Sequence, residues 1–169
     1  MPLVYDDFET PFGTIHVILD AGRVSEVLMT EPGWQQCQAS PAAPLRDRAA
    51  CREVLGQLAE YFSGQRRSFS VPLAPAGTTF QQKVWRALQQ IPFGETRSYQ
   101  EVARAIAAPN SCRAVGQANR RNPLPIFIPC HRVIGKDGAL TGYIGTGYLD
   151  IKAYLLRMEQ DYARRAGIA

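Results

Sequence analysis

Residues 3 to 29 fall into three short apolar runs cut apart by turn signals, while the later apolar stripes recur at helical spacing. That single change of pattern limits the fold more than anything else in the chain. The first stretch reads as three short strands, "LVYDDF", "GTIHVIL" and "RVSEVLM", separated by the turn signals "TPFG" and "DAG". Strands joined this closely form an antiparallel meander. His16 falls at an alternating position of the second strand and reads as a surface or packed residue rather than a catalyst.

A polar, proline-bearing loop is expected from there to about residue 44. From Leu45 to Phe62 the positions Leu45, Ala49, Val54, Leu55, Leu58 and Phe62 recur at helical spacing, and Gly64 stands where a C-terminal cap belongs. One helix would cover one face of the sheet. The segment "SFSVPLAPAGTT" then reads as a short strand and a Pro/Gly/Ala connection, which divides the chain into expected domains 1–74 and 75–169.

Beyond that boundary the pattern is helical. Thr79 with Gln82 has the spacing of a capping box, and Phe80, Val84, Trp85, Leu88 and Ile91 make a stripe ended by "IPFG". Ser98 with Glu101 repeats the signature and opens a helix over about 98–107, stopped by Pro109. A third runs from about Ser111 until Asn122-Pro123, and the tight "APN" turn between the two suggests a helix-turn-helix. The third helix, "SCRAVGQANRR", carries small residues where a core-facing helix carries Leu or Ile. Gly116 in its middle costs about 1 kcal/mol relative to Ala. Two readings explain it: close helix packing, or a small-residue face that lets the backbone approach a nucleic-acid groove with Arg113 projecting. "KDG" signals a tight turn, and a last helix from about Leu149 to Arg165 carries Leu155, Leu156 and Glu159.

With 169 residues and 46% apolar content, the chain can bury a core, yet no apolar run approaches the roughly 20 residues that span a bilayer. Acidic residues interrupt "MPLVYDDFETPFG" before any signal-peptide core, so a cytoplasmic protein with no membrane partner is expected. The net charge of +4 is mild, but Arg104, Arg113, Arg120, Arg121 and Arg132 fall within about thirty residues and bracket Cys130. A polyanion is expected there. Cys37, Cys51, Cys112 and Cys130 form no C-x-x-C pair and have no His at zinc-finger spacing, so no metal site is expected. The first three read as small structural side chains.

The chemistry concentrates in "NPLPIFIPCHRVIG", residues 122 to 135. A thiol is a strong nucleophile only as thiolate, so a reactive cysteine needs a positive or proton-accepting neighbour, and His131 and Arg132 supply both kinds. Adjacent residues of an extended segment point to opposite sides, so a Cys130–His131 contact requires a turn or a water. A carboxylate usually fixes the imidazole tautomer, and Glu159 on the final helix is the candidate.

The motifs "FQQKVWRALQQIPFGETRSYQEVA", "RAVGQANRRNPLPIFIPCHRVIG", "GALTGY" and "KAYLLRME", in this order and nearly all at the same spacings, resemble the O6-alkylguanine-DNA alkyltransferases. The resemblance implies an α+β protein with an N-terminal antiparallel-sheet domain bearing a helix, ribonuclease H-like. Its C-terminal domain would be helical, resemble a winged helix-turn-helix and hold the active site. It implies direct damage reversal: Cys130 takes the alkyl group from O6-alkylguanine, or O4-alkylthymine, in one irreversible displacement without a cofactor. The partner would be double-stranded DNA gripped from the minor groove, by a monomer. By position His131 would act on the thiol through water, Glu159 would orient it, and Asn122 would be the hinge between recognition helix and active-site segment. Arg113 would replace the flipped nucleotide in the stack. Tyr99 would press on the rotating phosphate and serve as proton donor to the departing guanine. Cys112, Ala114 and Gly116 would face the groove, while Val133, Tyr143, Ile144 and Gly145 would line the base pocket.

Two departures from the family stand out. The N-terminal cysteine and histidine zinc ligands of some members have no counterparts, and "IGTGYLDIK" is about two residues longer than the usual spacing after the tyrosine. Two rival readings carry weight beside this one. One is a DNA-binding protein without transfer activity, a damage sensor of the alkyltransferase-like kind or a helix-turn-helix regulator; those sensors replace the cysteine that this chain keeps. A cysteine hydrolase would need an oxyanion hole, for which the sequence has no separate signal.

Overall fold

The computed structural model describes residues 1–141 and 148–167, and the chain divides into two compact units, Met1–Ala76 and Gly77–Ala169. Tyr143, Ile144 and Gly145, and with them the first part of the lengthened segment "IGTGYLDIK", lie outside the described residues.

In the first unit β1 (Val4–Thr10), β2 (Gly13–Asp20) and β3 (Arg23–Leu28) form the expected antiparallel meander. The second hairpin turns on Ala21 and Gly22, both in the left-handed region at φ +48° and +79°. β2 is the central strand, and Ile15 to Leu19 are all buried, which requires cover on both faces.

The covering elements differ from expectation at two places. Leu45–Arg46 is not helical; it forms β4, which pairs parallel with β1 and extends the sheet to the order β3-β2-β1-β4. Asp47 then accepts the Ala50 amide and caps α2 (Arg48–Phe62). Leu45 is 62% exposed, and the buried stripe is Cys51, Val54, Leu58 and Tyr61 rather than the one starting at Leu45. Gly64 does take the left-handed conformation that ends this helix, at φ +80°. The second difference is α1 (Glu31–Gln38), inside the stretch expected to be loop. Thr30 caps it and Pro32 occupies its first turn, yet it buries no residue fully. Trp34 holds it down by stacking on His16 with ring centroids 3.9 Å apart. His16 is thus a packed residue, its Nδ1 2.7 Å from Asp7 Oδ1. The short strand expected near residue 70 reduces to one bridge between Leu73 and Val24.

In the second unit α3 (Thr79–Gln89) starts one residue earlier than the capping box read from sequence. Thr78 and Gln81 make the reciprocal bonds, because "TTFQQ" offers the same spacing in two registers. Ser98 and Glu101 cap α4 (Tyr99–Ala105) as expected. A turn through Ala107, at φ +58°, leads into α5 (Cys112–Arg120), completing the helix-turn-helix. Trp85 of α3 is buried and donates its indole N–H to the Ala118 carbonyl at 2.9 Å. Close packing therefore explains the small residue at 118. It does not explain Gly116, where an added Cβ would meet only the Tyr99 ring at 3.9 Å, an ordinary contact.

Past α5 the chain passes Cys130 in a 3-10 turn, Cys130–Arg132, and enters β6 (Val133–Ile134), which pairs parallel with β5 (Arg97–Ser98). That pairing puts the start of α4 beside the segment leaving the cysteine. The last helix, α6 (Leu149–Arg165), turns Ile151, Lys152, Leu155, Leu156, Met158, Glu159 and Ala163 inward. Among the described residues no helix is long and apolar enough to cross a membrane.

Candidate active site

The 3-10 turn is the local device that brings Cys130 and His131 onto one site. Its amide bonds, Cys130 N–H to the Ile128 carbonyl and Arg132 N–H to the Pro129 carbonyl, bend a segment that would otherwise point the two side chains apart. Asn122 stabilises the bend from the other end. Its amide nitrogen donates to the Ile128 carbonyl at 2.8 Å and its oxygen accepts the Leu124 amide at 2.9 Å. Asn119 donates to the Cys130 carbonyl at 3.3 Å.

His131 is fully buried, and its Nε2 lies 2.6 Å from Glu159 Oε2. Glu159, reaching in from α6, is equally buried. Burial alone would raise the Glu159 pKa, but the hydrogen bonds from His131 and Arg132 and the charge of the Arg132 guanidinium outweigh it, holding the carboxyl well below the usual range. Glu159 is therefore an anion, and the proton between carboxylate and imidazole sits on His131 Nε2. Burial pulls His131 down, outweighing Glu159, so the imidazole is neutral at neutral pH. Its other nitrogen, Nδ1, is buried with no hydrogen-bond partner among the described residues. A neutral histidine donating from Nε2 has a free lone pair on Nδ1, which is what a proton acceptor requires.

Cys130 is 1% exposed. Burial pushes its thiol up to about 11, opposed by a hydrogen bond from the Asn122 side chain, the charge of Lys152 and the Cys130 and His131 amides. Lys152 was not singled out from sequence. It is fully buried on α6, and its ammonium donates to the Val133 carbonyl at 2.5 Å and the Thr141 carbonyl at 2.9 Å. Burial lowers it to about 8, and a Cys130 thiolate would raise it again. A recognisable signal was present, since Lys152 shares one helical stripe with Leu155, Leu156 and Glu159.

Arg132 departs from both expectations placed on it. Only 6% exposed, it is closed to a polyanion, and its guanidinium is spent on Glu159 and the Ile91 carbonyl rather than on the thiol. The cation that acts on Cys130 is Lys152. Arg104, Arg113, Arg120 and Arg121 are exposed, as a basic binding face needs. Val133, fully buried, is the only base-pocket residue from the sequence reading within the described part.

Beside this centre, α4 and α5 bound an open cleft of about 310 Å³, lined by Tyr99, Cys112, Arg113, Gly116, Arg120 and Thr141. Arg113 and Ala114 are exposed, and the Cys112 thiol donates to Gln100 Oε1 at 3.0 Å. The Tyr99 hydroxyl donates to the Thr141 carbonyl at 2.7 Å, and burial raises its pKa. The structure thus brings Cys130, His131, Glu159, Asn122 and Val133 into one buried cluster, and Tyr99, Cys112, Arg113 and Gly116 into the cleft.

A buried thiol next in the chain to a buried histidine–glutamate pair thus stands in a helix-turn-helix unit that exposes several arginines. Comparison with known proteins makes this specific. Residues 79–161 match the family model "6-O-methylguanine DNA methyltransferase, DNA binding domain", and residues 3–75 match its ribonuclease-like domain. The constitutive methylated-DNA–protein-cysteine methyltransferase of Bacillus subtilis is 46% identical over 157 residues, 92% of this chain and 94% of the relative. The Mycolicibacterium paratuberculosis methyltransferase is 53% identical over 94% of this chain and 93% of its own. The crystal structure of Mycobacterium tuberculosis OGT in complex with DNA superposes with a TM-score of 0.84 at 42% identity, covering 94% of each chain. The chain belongs to the methylated-DNA–protein-cysteine methyltransferases. It is a DNA-repair protein that transfers an alkyl group from DNA to a cysteine.

Proposed function

We propose that Cys130 is the acceptor, and that this protein reverses O6-alkylguanine, and O4-alkylthymine, in double-stranded DNA by one stoichiometric transfer. It works as a cytoplasmic monomer without cofactor or metal, with 1–74 as supporting domain and 75–169 as the alkyltransferase and DNA-binding domain. The observation that carries this reading is the buried His131, next in the chain to the buried Cys130, whose Nε2 is 2.6 Å from Glu159 while Nδ1 has no partner among the described residues.

In the reaction the Cys130 proton passes through a water to His131 Nδ1. The thiolate then attacks the alkyl carbon; the S–C bond forms as the C–O6 bond breaks, and the departing guanine takes up one proton. In this reading Tyr99 supplies it, its hydroxyl, which now donates to the Thr141 carbonyl, turning to the base. Asn122 joins α5 to the active-site turn, which suits a hinge.

At 1% exposure Cys130 cannot meet a base that stays in the duplex. The base must be flipped, at an unstacking cost of about a few kcal/mol. Arg113, exposed at the first turn of α5, fills the stack, and Cys112, Ala114 and Gly116 lie against the minor groove, where Gly116 lets the backbone come close. Val133 belongs to the base pocket. The test is Cys130→Ser: transfer should vanish while DNA affinity is largely retained, because phosphate contacts lie elsewhere. A serine variant that still removed alkyl groups would overturn the assignment.

A further inference from the structure

Glu159 is held by two partners, and the mechanism above uses only one. Arg132 Nε donates to Glu159 Oε1 at 2.8 Å and its Nη2 to Oε2 at 2.9 Å, a two-pronged grip on the same carboxylate that faces His131. The third nitrogen, Nη1, donates to the Ile91 carbonyl at 2.7 Å. The "IPFG" turn completes the frame, since the Gly94 amide donates to Oε1 at 3.2 Å. Both carboxylate oxygens thus accept from more than one donor within the buried core.

We infer that Arg132 is a positioning residue for alkyl transfer. By gripping both oxygens of Glu159 it keeps that group a fixed anion, so that His131 keeps its proton on Nε2 and leaves Nδ1 free to receive the thiol proton. This rests on the reading of Cys130 and His131 given above. Without the guanidinium, the buried cluster would hold an uncompensated carboxylate, and it would take up one proton. Either that proton makes His131 an imidazolium, or Glu159 becomes the acid, donates to Nε2 and turns the ring over to its Nδ1–H tautomer. Both outcomes occupy the nitrogen that must accept.

The charged groups facing His131 are Glu159 and Lys152 from α6, Arg132 from its own turn, and Cys130 when ionised. Lys152 cannot replace Arg132, because its ammonium is committed to the Val133 and Thr141 carbonyls. Its positive charge also disfavours an imidazolium. The tautomer change is then the favoured response.

Single-turnover transfer from an O6-methylguanine oligonucleotide, followed against pH for the wild type, Arg132→Lys and Arg132→Met, tests this. The acid limb of the profile should move to higher pH in Arg132→Met by at least about one unit, a tenfold loss on that limb that alkaline pH recovers. Arg132→Lys keeps the charge without the fork and should restore the position of the limb at a reduced rate. A folded Arg132→Met with an unmoved acid limb would overturn the inference, as would a loss equal at every pH, which marks a purely structural part. Should Arg132→Met not fold, nitrogen-15 NMR of the unsubstituted protein decides: an unprotonated Nδ1 and a protonated Nε2 support the inference, and the reverse tautomer sinks it. His131→Gln separates the two levels. If it leaves the profile unchanged, His131 is not the base and the underlying reading fails first.

Discussion

Lys152 and Tyr99 converge on one acceptor: the ammonium and the hydroxyl donate to the Thr141 carbonyl at 2.9 and 2.7 Å. The same ammonium grips the Val133 carbonyl, three residues past the thiol. A buried cation with no carboxylate partner among the described residues is an unfavourable arrangement that a thiolate at Cys130 relieves. Lys152→Met should raise the Cys130 pKa further and slow transfer at neutral pH by roughly tenfold, the effect of about one pKa unit on the thiolate fraction. Thiolate absorbance titration beside single-turnover rates measures both. An unchanged thiol pKa would remove Lys152 from the chemistry.

The pH dependence of stability carries a sign of its own. The folded Lys152 pKa, about 8, lies below its ordinary 10.5, so between those values the unfolded chain holds the extra proton. Stability from this group therefore rises with pH through that window. Cys130 acts oppositely: with a folded pKa of about 11 against 9.0, its contribution is fully present below 9 and falls as pH rises to about 11. Urea titrations of Lys152→Met and Cys130→Ser across this range should lose the rising and the falling component respectively.

Gly116→Ala separates folding from binding. The added Cβ meets only the Tyr99 ring at 3.9 Å, so the free protein should gain up to about 1 kcal/mol from helix propensity. DNA affinity should fall, because the methyl stands where the groove is to approach. A melting curve and a titration with duplex check the pair, and an affinity equal to wild type would contradict the groove-facing role of α5.

Arg113→Ala should slow repair of duplex much more than reaction with free O6-alkylated guanine, which needs no flipping. Equal slowing on both substrates would rule out a stack-filling role.

Much of this was legible in the sequence because it rests on local rules. The turn-bounded runs of residues 3 to 29 and the helical stripes after them mark the sheet unit and the helical unit, and Ser98 with Glu101 announces α4 through the reciprocal bonds that form there. Cys130, His131 and Glu159 stand out in the sequence as a set by their chemistry. What escaped depends on contacts between distant residues. α1 is secured by Trp34 stacking on His16, and Leu45 enters a strand because β1 is there to pair with it. The cation beside the thiol proved to be Lys152, 22 positions away, while the adjacent Arg132 turned inward to Glu159. Adjacency in sequence fixes neither side-chain direction nor burial, and those decide which charge a thiol feels.

The central claim is that Cys130 itself becomes alkylated, once. Intact-mass and peptide-mapping spectrometry after mixing the protein with a duplex carrying O6-methylguanine reads this directly. One methyl mass per chain, mapped to Cys130 and matched mole for mole by restored guanine, is the predicted result; binding without a mass gain, continued turnover, or a methyl group on Cys112 would contradict it.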